Sequence, residues 1–390
     1  MTRSLRDAAA IAGIGQTEFS KSSGRSELQL ACEAVKAALD DAGLSPRDVD
    51  GMTTFTLDTS DEIEVARAVG IGDLRFFSRT PHGGGAAIGV IHQAAMAVAT
   101  GTAEVVVVYR ALNGRSGQRY SQGVASDVVT SDLIHWSWYL PYGLLTPASW
   151  VAMFTQRYLY ETGTTSEDLA RVAIATRNHA VKNPNAFFHG RPLTLGEHQA
   201  SRMIVSPLHL YDCCQETDGG CACIVTTPER ARDLRRGGVL IRGVAQAAGA
   251  EQEVMTSFYR PSLTRVPEME VVARQVYAMS GLGPQDLDAA VIYDAFTPIV
   301  LWQLEAFGLC KWGEAKDFVR DGGLDLGGRL PSNTHGGQLS EAYIHGMNGV
   351  NEGVRLVRGT SVNQPASSDH VLVTAGVGVP TSAMILGKLL

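Results

Sequence analysis

Cysteine is scarce: six residues in a chain of 390, so a disulfide framework is not implied. Basic residues form neither a block nor a tail, and the formal net charge is -7. Nucleic acid is therefore not an expected partner. The N-terminal run M-T-R-S-L-R-D-A-A-A-I-A-G-I-G starts mildly basic. Its apolar part is too short, and too interrupted by glycine, for a signal peptide or a membrane span. A cytoplasmic chain without a membrane span is the expectation. Cys213, Cys214, Cys221 and Cys223 lie close together, but the spacing C-C-x6-C-x-C lacks the C-x-x-C pairs of a zinc ribbon. Cys221 and Cys223 would share one face of a strand and read as small apolar residues, with no metal expected.

What is abundant is glycine, 42 residues clustered with short apolar runs, in a chain that is 45% hydrophobic and 19% charged. That pattern suits a globular α/β protein with tight strand-to-helix turns, long enough for one large or two medium domains. In order, the chain reads as a strand over 8–15, a helix from Glu27 to Ala42 stopped by Gly43, and a strand from Gly51 to Thr56. A helix through Asp61 to Val69 follows, then the glycine turn T-P-H-G-G-G and an Ala-rich helix closing at Gly101. The unbroken β-branched run Val105 to Tyr109 suits a sheet buried on both faces.

The second half repeats this order: a strand around Val239, a helix over 268–279, a strand from Ala289 to Tyr293, a helix from Pro298 to Phe307, a glycine turn, a helix from about Ser340 to Arg358, and the closing strand H-V-L-V-T-A-G. The helix exits A-G-L-S-P-R-D-V-D and S-G-L-G-P-Q-D-L-D nearly coincide, pairing Gly43 with Gly281. The turns pair His82-Gly83-Gly84 with His335-Gly336-Gly337. Two matches in one order indicate an internal duplication, with halves at 1–235 and 236–390, stacked as α/β/α/β/α layers. The segment 114–235 interrupts the first half. It reads as long loops in which Trp136, Trp138 and Tyr139 either line an apolar ligand cavity or pack structurally. Arg171, Arg177, Lys182 and Arg191 there either hold phosphates or are solvated surface residues.

Chemistry concentrates between Ser332 and Asn348, in S-N-T-H-G-G-Q-L-S-E-A-Y-I-H-G-M-N. Asn333 and Gly336-Gly337 make a turn that exposes backbone N–H groups. Ser332, Asn333, Thr334, His335, Gln338, Tyr343 and His345 crowd around it, either as a hydrophilic loop or as convergent proton donors and acceptors.

The duplicated glycine turns, the D-G-G-C-A-C-I-V-T-T strand and the closing T-A-G-V-G-V-P-T-S-A resemble the thiolase superfamily over nearly the whole chain, most closely its lipid-transfer-protein branch. The resemblance implies a dimeric five-layered fold that binds acyl-CoA. The departures matter more. The first glycine turn holds no thiol, the strand-end motif falls on Tyr293-Asp294-Ala295-Phe296, the histidine of the second turn falls on Tyr343, and the second cysteine falls on Ala375. Cysteine-based condensation or thiolysis then has no nucleophile.

This pattern resembles the steroid side-chain-cleaving aldolases of that branch, which split a β-hydroxyacyl-CoA into a ring ketone and propionyl-CoA and work with a DUF35 OB-fold protein. What the resemblance implies here is a retro-aldol lyase on a steroid acyl-CoA, with CoA entering only as part of the substrate and no other cofactor. Tyr293 and Tyr343 are the expected acid/base pair, with His335 and His345 tuning them and Asp294 beside them. Backbone at Gly84, Gly337 and Gly378 is the expected oxyanion hole, and His82 stands in the thiol's place. The alternatives are a non-catalytic acyl-CoA- or lipid-binding subunit that has lost its cysteines, and a thiolase with an unexpected nucleophile.

Overall fold

The computed structural model describes residues 4–81, 83–117, 119, 122, 139–250, 258–376, 378 and 381–389. His82, Trp136 and Trp138 lie outside the described residues. The first half runs β1 (Ala10–Gln16), α1 (Glu27–Ala42), β2 (Gly51–Phe55), α2 (Glu62–Val69), β3 (Phe76–Thr80), α3 (Ala87–Ala99) and β4 (Val105–Asn113). Next come α4 (Pro147–Thr162), α5 (Ser166–Lys182), α6 (Leu195–Ala200), β5 (Met203–Val205), β6 (Leu208–His209), β7 (Asp218–Thr226) and α7 (Pro228–Arg232). The second half runs β8 (Val239–Ala247), α8 (Pro267–Ser280), β9 (Ala289–Val291), α9 (Thr297–Ala306), α10 (Ala315–Arg320), α11 (Met347–Arg358), β10 (His370–Ala375) and β11 (Thr381–Lys388).

Side-chain alternation along the strands builds the layers. In β4, Val105, Val107 and Tyr109 join α1 and α2 in one core, while Val106 and Val108 face α3 in another. In β10, Val371 and Val373 enter that second core, and Leu372 turns to a third with α8 and α9. The middle core holds α3 and α11 between the strands of both halves. The succession is therefore helices, sheet, helices, sheet, helices, the expected five-layered α/β architecture. The strands share the hydrogen-bonded order β3-β2-β4-β7-β1-β8-β11-β10-β9. Among the described residues, the halves meet in it through the register Ala10↔Leu240 and Ile11↔Val239, extended by hydrogen bonds from Ile241 N to Ala9 O and from Asp7 N to Ile241 O.

The duplication is visible in the backbone. α1 and α8 both end on a left-handed glycine, Gly43 (φ 75°) and Gly281 (φ 72°), followed by a 3-10 turn and then β2 or β9. β3 lies parallel to β2, and Ser332 makes the corresponding parallel bridge to Ala290 of β9. The Cys221–Cys223 reading holds: both are buried in the middle core.

Three expectations need correction. The segment read as long loops carries α4, α5 and α6, because Thr146, Thr165 and Thr194 cap helices. Tyr139 packs against Trp150 and Phe258, with ring centroids 5.9 and 5.5 Å away. Arg177 is not a solvated residue: it is buried, stacks 3.5 Å over Phe188 and donates from Nε to Ser340 Oγ at 3.0 Å. Finally, the helix expected from Ser340 starts at Met347, after a π turn over Gly337–Glu341 and a non-helical stretch.

The start of that detour is pinned by Asn333, held at φ 52°. Its side chain replaces a strand neighbour, with Oδ1 accepting from Ile292 N at 2.7 Å and Nδ2 donating to Ile292 O at 2.9 Å. Asn333→Ala leaves two buried backbone groups unpaired, and should lower unfolding stability by about 2 kcal/mol or more. A shift of the urea midpoint checks this; an unchanged midpoint would mean that the pairing carries no stability.

Candidate active site

The end of β9 and the detour before α11 bring two phenols together. Tyr293 leaves the sheet with its N–H donating to Thr374 Oγ1 at 3.0 Å and its carbonyl accepting from Gln303 Nε2 at 2.6 Å. Thr374 closes this brace by donating to Gln303 Oε1 at 2.5 Å. Tyr343 is placed by its N–H, which donates to Thr217 Oγ1 at 2.9 Å, and by a bridge to Glu216. The two hydroxyls stand 3.4 Å apart.

They meet at the first glycine turn. A Cβ built on Gly84 would overlap the Tyr293 hydroxyl, so the phenol occupies the volume that a side chain at that turn would need. On Gly83 the nearest atom to such a Cβ is His345 Nε2, at 3.3 Å. The His345 ring stands edge-on to Tyr343 with centroids 5.0 Å apart. Gly376 of the closing loop approaches Gly85 so closely that a Cβ would strike its Cα. Gly378 is buried nearby in the chain at φ 96°. Tyr293, Tyr343, His345 and Gly84 thus converge.

The other expected residues sit differently. Asp294 Oδ1 accepts from Gln338 N at 2.7 Å, Oδ2 accepts from Leu339 N at 3.4 Å, and the carboxylate fills the space above Gly337. It anchors the π turn, and burial raises its pKa to about 7. His335 faces Glu341, with Nε2 3.8 Å from Oε2. Burial, then Arg355, lowers the His335 pKa to about 3, and burial raises that of Glu341 to about 8. This contact therefore joins two neutral groups and is not an ion pair near neutral pH. Glu341 is held by Asn183 Nδ2 at 3.0 Å and Asn348 Nδ2 at 2.9 Å.

Every cysteine is free, and none is poised as a thiolate. Burial raises all six pKa values, those of Cys213, Cys223 and Cys310 to about 12. Among the described residues no His, Cys, Asp and Glu cluster could hold a metal. Residues missed in the sequence are Thr374, Gln303, Arg110 and Asp58. Only Arg110 carried a signal, a cation immediately after the apolar run of β4. Gln338, noted in the glycine stretch, is buried with both amide atoms unpartnered by protein.

Comparison with known proteins gives the family. A family model described as thiolase C-terminal domain-like matches residues 249–388. A steroid side-chain-cleaving aldolase of Thermomonospora curvata is 64% identical over 98% of each chain. A 17-hydroxy-3-oxo-4-pregnene-20-carboxyl-CoA lyase of Mycobacterium tuberculosis is 58% identical over 98% of this chain and 100% of that one. The solved structure of an Ltp2-ChsH2(DUF35) aldolase superposes with a TM-score of 0.95 at 63% identity, covering 99% of both chains. Fold and site define a thiolase-like enzyme that works without a cysteine nucleophile. Within that class, the chain belongs to the steroid side-chain-cleaving aldolases, and it is a carbon–carbon lyase. The non-catalytic reading and the thiolase reading are set aside accordingly.

Glu341 also gives a stability test. Its folded pKa, about 8, exceeds the ordinary 4.5, so the folded state holds the proton more tightly and stability declines as pH rises through that interval. Glu341→Gln removes this titration. Denaturant melts between about pH 6 and 9 should show the wild type losing stability relative to the variant as pH rises. A constant difference would contradict a buried neutral carboxyl.

Proposed function

We propose that this lyase cleaves a steroid acyl-CoA carrying a β-hydroxyl on a ring carbon, and that Tyr293 and Tyr343 move the protons. The carrying observation is the hydroxyl pair, 3.4 Å apart, at the Gly83–Gly84 turn. One tyrosine, as phenolate, takes the substrate hydroxyl proton. The oxygen's electrons form the ring ketone as the Cα–Cβ bond breaks, and the bond pair enters a thioester enolate. The second tyrosine protonates Cα, which releases propionyl-CoA. A proton passed between the two hydroxyls then restores the starting state. A phenol ordinarily titrates near ~10, so the hydroxyl of the other tyrosine, 3.4 Å away, has to stabilise the phenolate that this cycle uses.

Donors from the glycine turns, at Gly84 and Gly378, hold the enolate oxygen in this reading, whereas the expected donor at Gly337 is displaced from it because the Asp294 carboxylate takes the space above that residue. CoA takes part only as the carrier of the acyl group, and every proton transfer is assigned to this chain's own side chains. The substrate class is supported by the names of the two relatives described above. A DUF35 protein as partner is supported by the composition of the neighbouring solved complex. A homodimer is supported by the edge strand β3, where Phe77 is 60% exposed. A cytoplasmic site of action fits six unpaired cysteines, and no helix among the described residues is long and apolar enough to cross a membrane.

Tyr293→Phe and Tyr343→Phe should each lower turnover by about 100-fold or more while acyl-CoA binding stays within a few-fold. The assay follows propionyl-CoA by mass spectrometry from a ring-hydroxylated, three-carbon-side-chain steroid CoA ester, with a DUF35-type partner present. Full activity in both variants would overturn the assignment.

A further inference from the structure

His345 is buried at 1% exposure and held at φ 50°, a left-handed conformation that is strained for a non-glycine residue. Its Nδ1 lies 3.1 Å from Arg110 Nε. A guanidinium N–H can only donate, so Nδ1 must be the accepting nitrogen. In the neutral ring the proton then sits on Nε2, the atom nearest the Gly83 turn.

Arg110 cannot swing away. Its Nη1 donates to Ala111 O at 2.9 Å and pairs with Asp58 Oδ2 at 3.1 Å, both side chains being buried. Asp58 is itself fixed: Oδ2 accepts from Thr54 Oγ1 at 3.2 Å and Ala111 N at 3.3 Å, and Oδ1 accepts from Ser60 N at 2.9 Å. Phe55 closes the group, its ring centroid 5.6 Å from Arg110 Cζ and 6.2 Å from that of His345.

We propose that Asp58 and Arg110 are positioning residues that lock His345 in its Nε2–H tautomer, making it a neutral hydrogen-bond donor to the thioester oxygen as enolate charge develops. His345 is then neither a base nor a cation. Burial and the adjacent Arg110 charge hold its pKa well below the imidazole range, which agrees with this arrangement. A neutral donor aimed at developing charge in a dry site stabilises the transition state more than the ground state. Among the described residues, the ionisable groups around His345 are Arg110 of β4, backed by Asp58 after β2, Tyr343 on its own segment and Tyr293 at the end of β9 across the turn.

The inference rests on the lyase reading of the same site, and its primary test does not depend on the tyrosines. Long-range proton–nitrogen correlation spectra of histidine-labelled full-length enzyme should show an Nε2–H, uncharged ring, lost in His345→Gln, unchanged from about pH 5 to 9. An Nδ1–H or imidazolium pattern would overturn the proposal.

Turnover then tests the role. His345→Gln keeps an N–H near Nε2 and should drop activity by less than about tenfold, whereas His345→Leu should lose about 100-fold or more, in kcat and not KM. Arg110→Met removes the cation that faces the imidazole and keeps the Asp58 carboxylate behind it, and should bring a new protonation near neutral pH into the kcat profile, with activity falling as pH is lowered. Wild-type kcat in His345→Leu would sink the donor role. An Nε2–H signal alongside fully active tyrosine-to-phenylalanine variants would refute the acid/base assignment while leaving the tautomer standing.

Discussion

The structure turns on the space above Gly84. A side chain at that position and the hydroxyl of Tyr293 cannot coexist, because they claim the same volume. A thiolase needs its nucleophile at this turn. The turn carries no thiol, and a phenol delivered to Gly84 from the other half of the duplicated fold is what the proposed mechanism uses in exchanging covalent chemistry for proton transfer on the same scaffold. Bracing by Thr374 and Gln303 keeps Tyr293 from retreating into the core.

The second phenol depends on an irregularity. If the helix began at Ser340, Tyr343 and His345 would lie on a regular helical surface. Asp294 instead binds the N–H groups that open the π turn, and Arg177 holds Ser340 from outside. Asn348 ties the first turn of α11 back to Glu341 and Ala342. The chain leaves the π turn extended at Ala342 and then turns through left-handed His345 and Gly346, at φ 50° and 89°. Such strain persists only where the surroundings over-determine it, and it gathers at functional sites. Burial keeps His335 uncharged and Glu341 mostly protonated near neutral pH, and raises the Asp294 pKa to about 7, which limits the charge around this segment.

Much of this was legible in the sequence because it is local. The matching helix exits at Gly43 and Gly281 and the β-branched run of β4 reflect short-range conformational preference and strand burial. The phenols at positions 293 and 343 were found through the resemblance, whose weight lay in what replaced the cysteine and histidine. The π turn escaped, since a helix-compatible run from Ser340 to Arg358 gives no local hint that a carboxylate from position 294 will cap it. Arg110 and Asp58 escaped for the same reason: they are far from His345 in sequence, and their pairing exists only in the folded sheet. The helices of 147–200 were underestimated because mixed aromatic and polar composition hid the caps that Thr146, Thr165 and Thr194 supply.

The central claim is that carbon–carbon cleavage proceeds by proton transfer between phenols, with no bond formed to the protein. Intact-protein mass spectrometry of the enzyme, acid-quenched during turnover of the steroid CoA ester, tests it most directly. The account predicts the unmodified mass of the chain at every time point while propionyl-CoA accumulates. A transient increase matching an acyl group, mapped to any of the six cysteines or to another side chain, would contradict it.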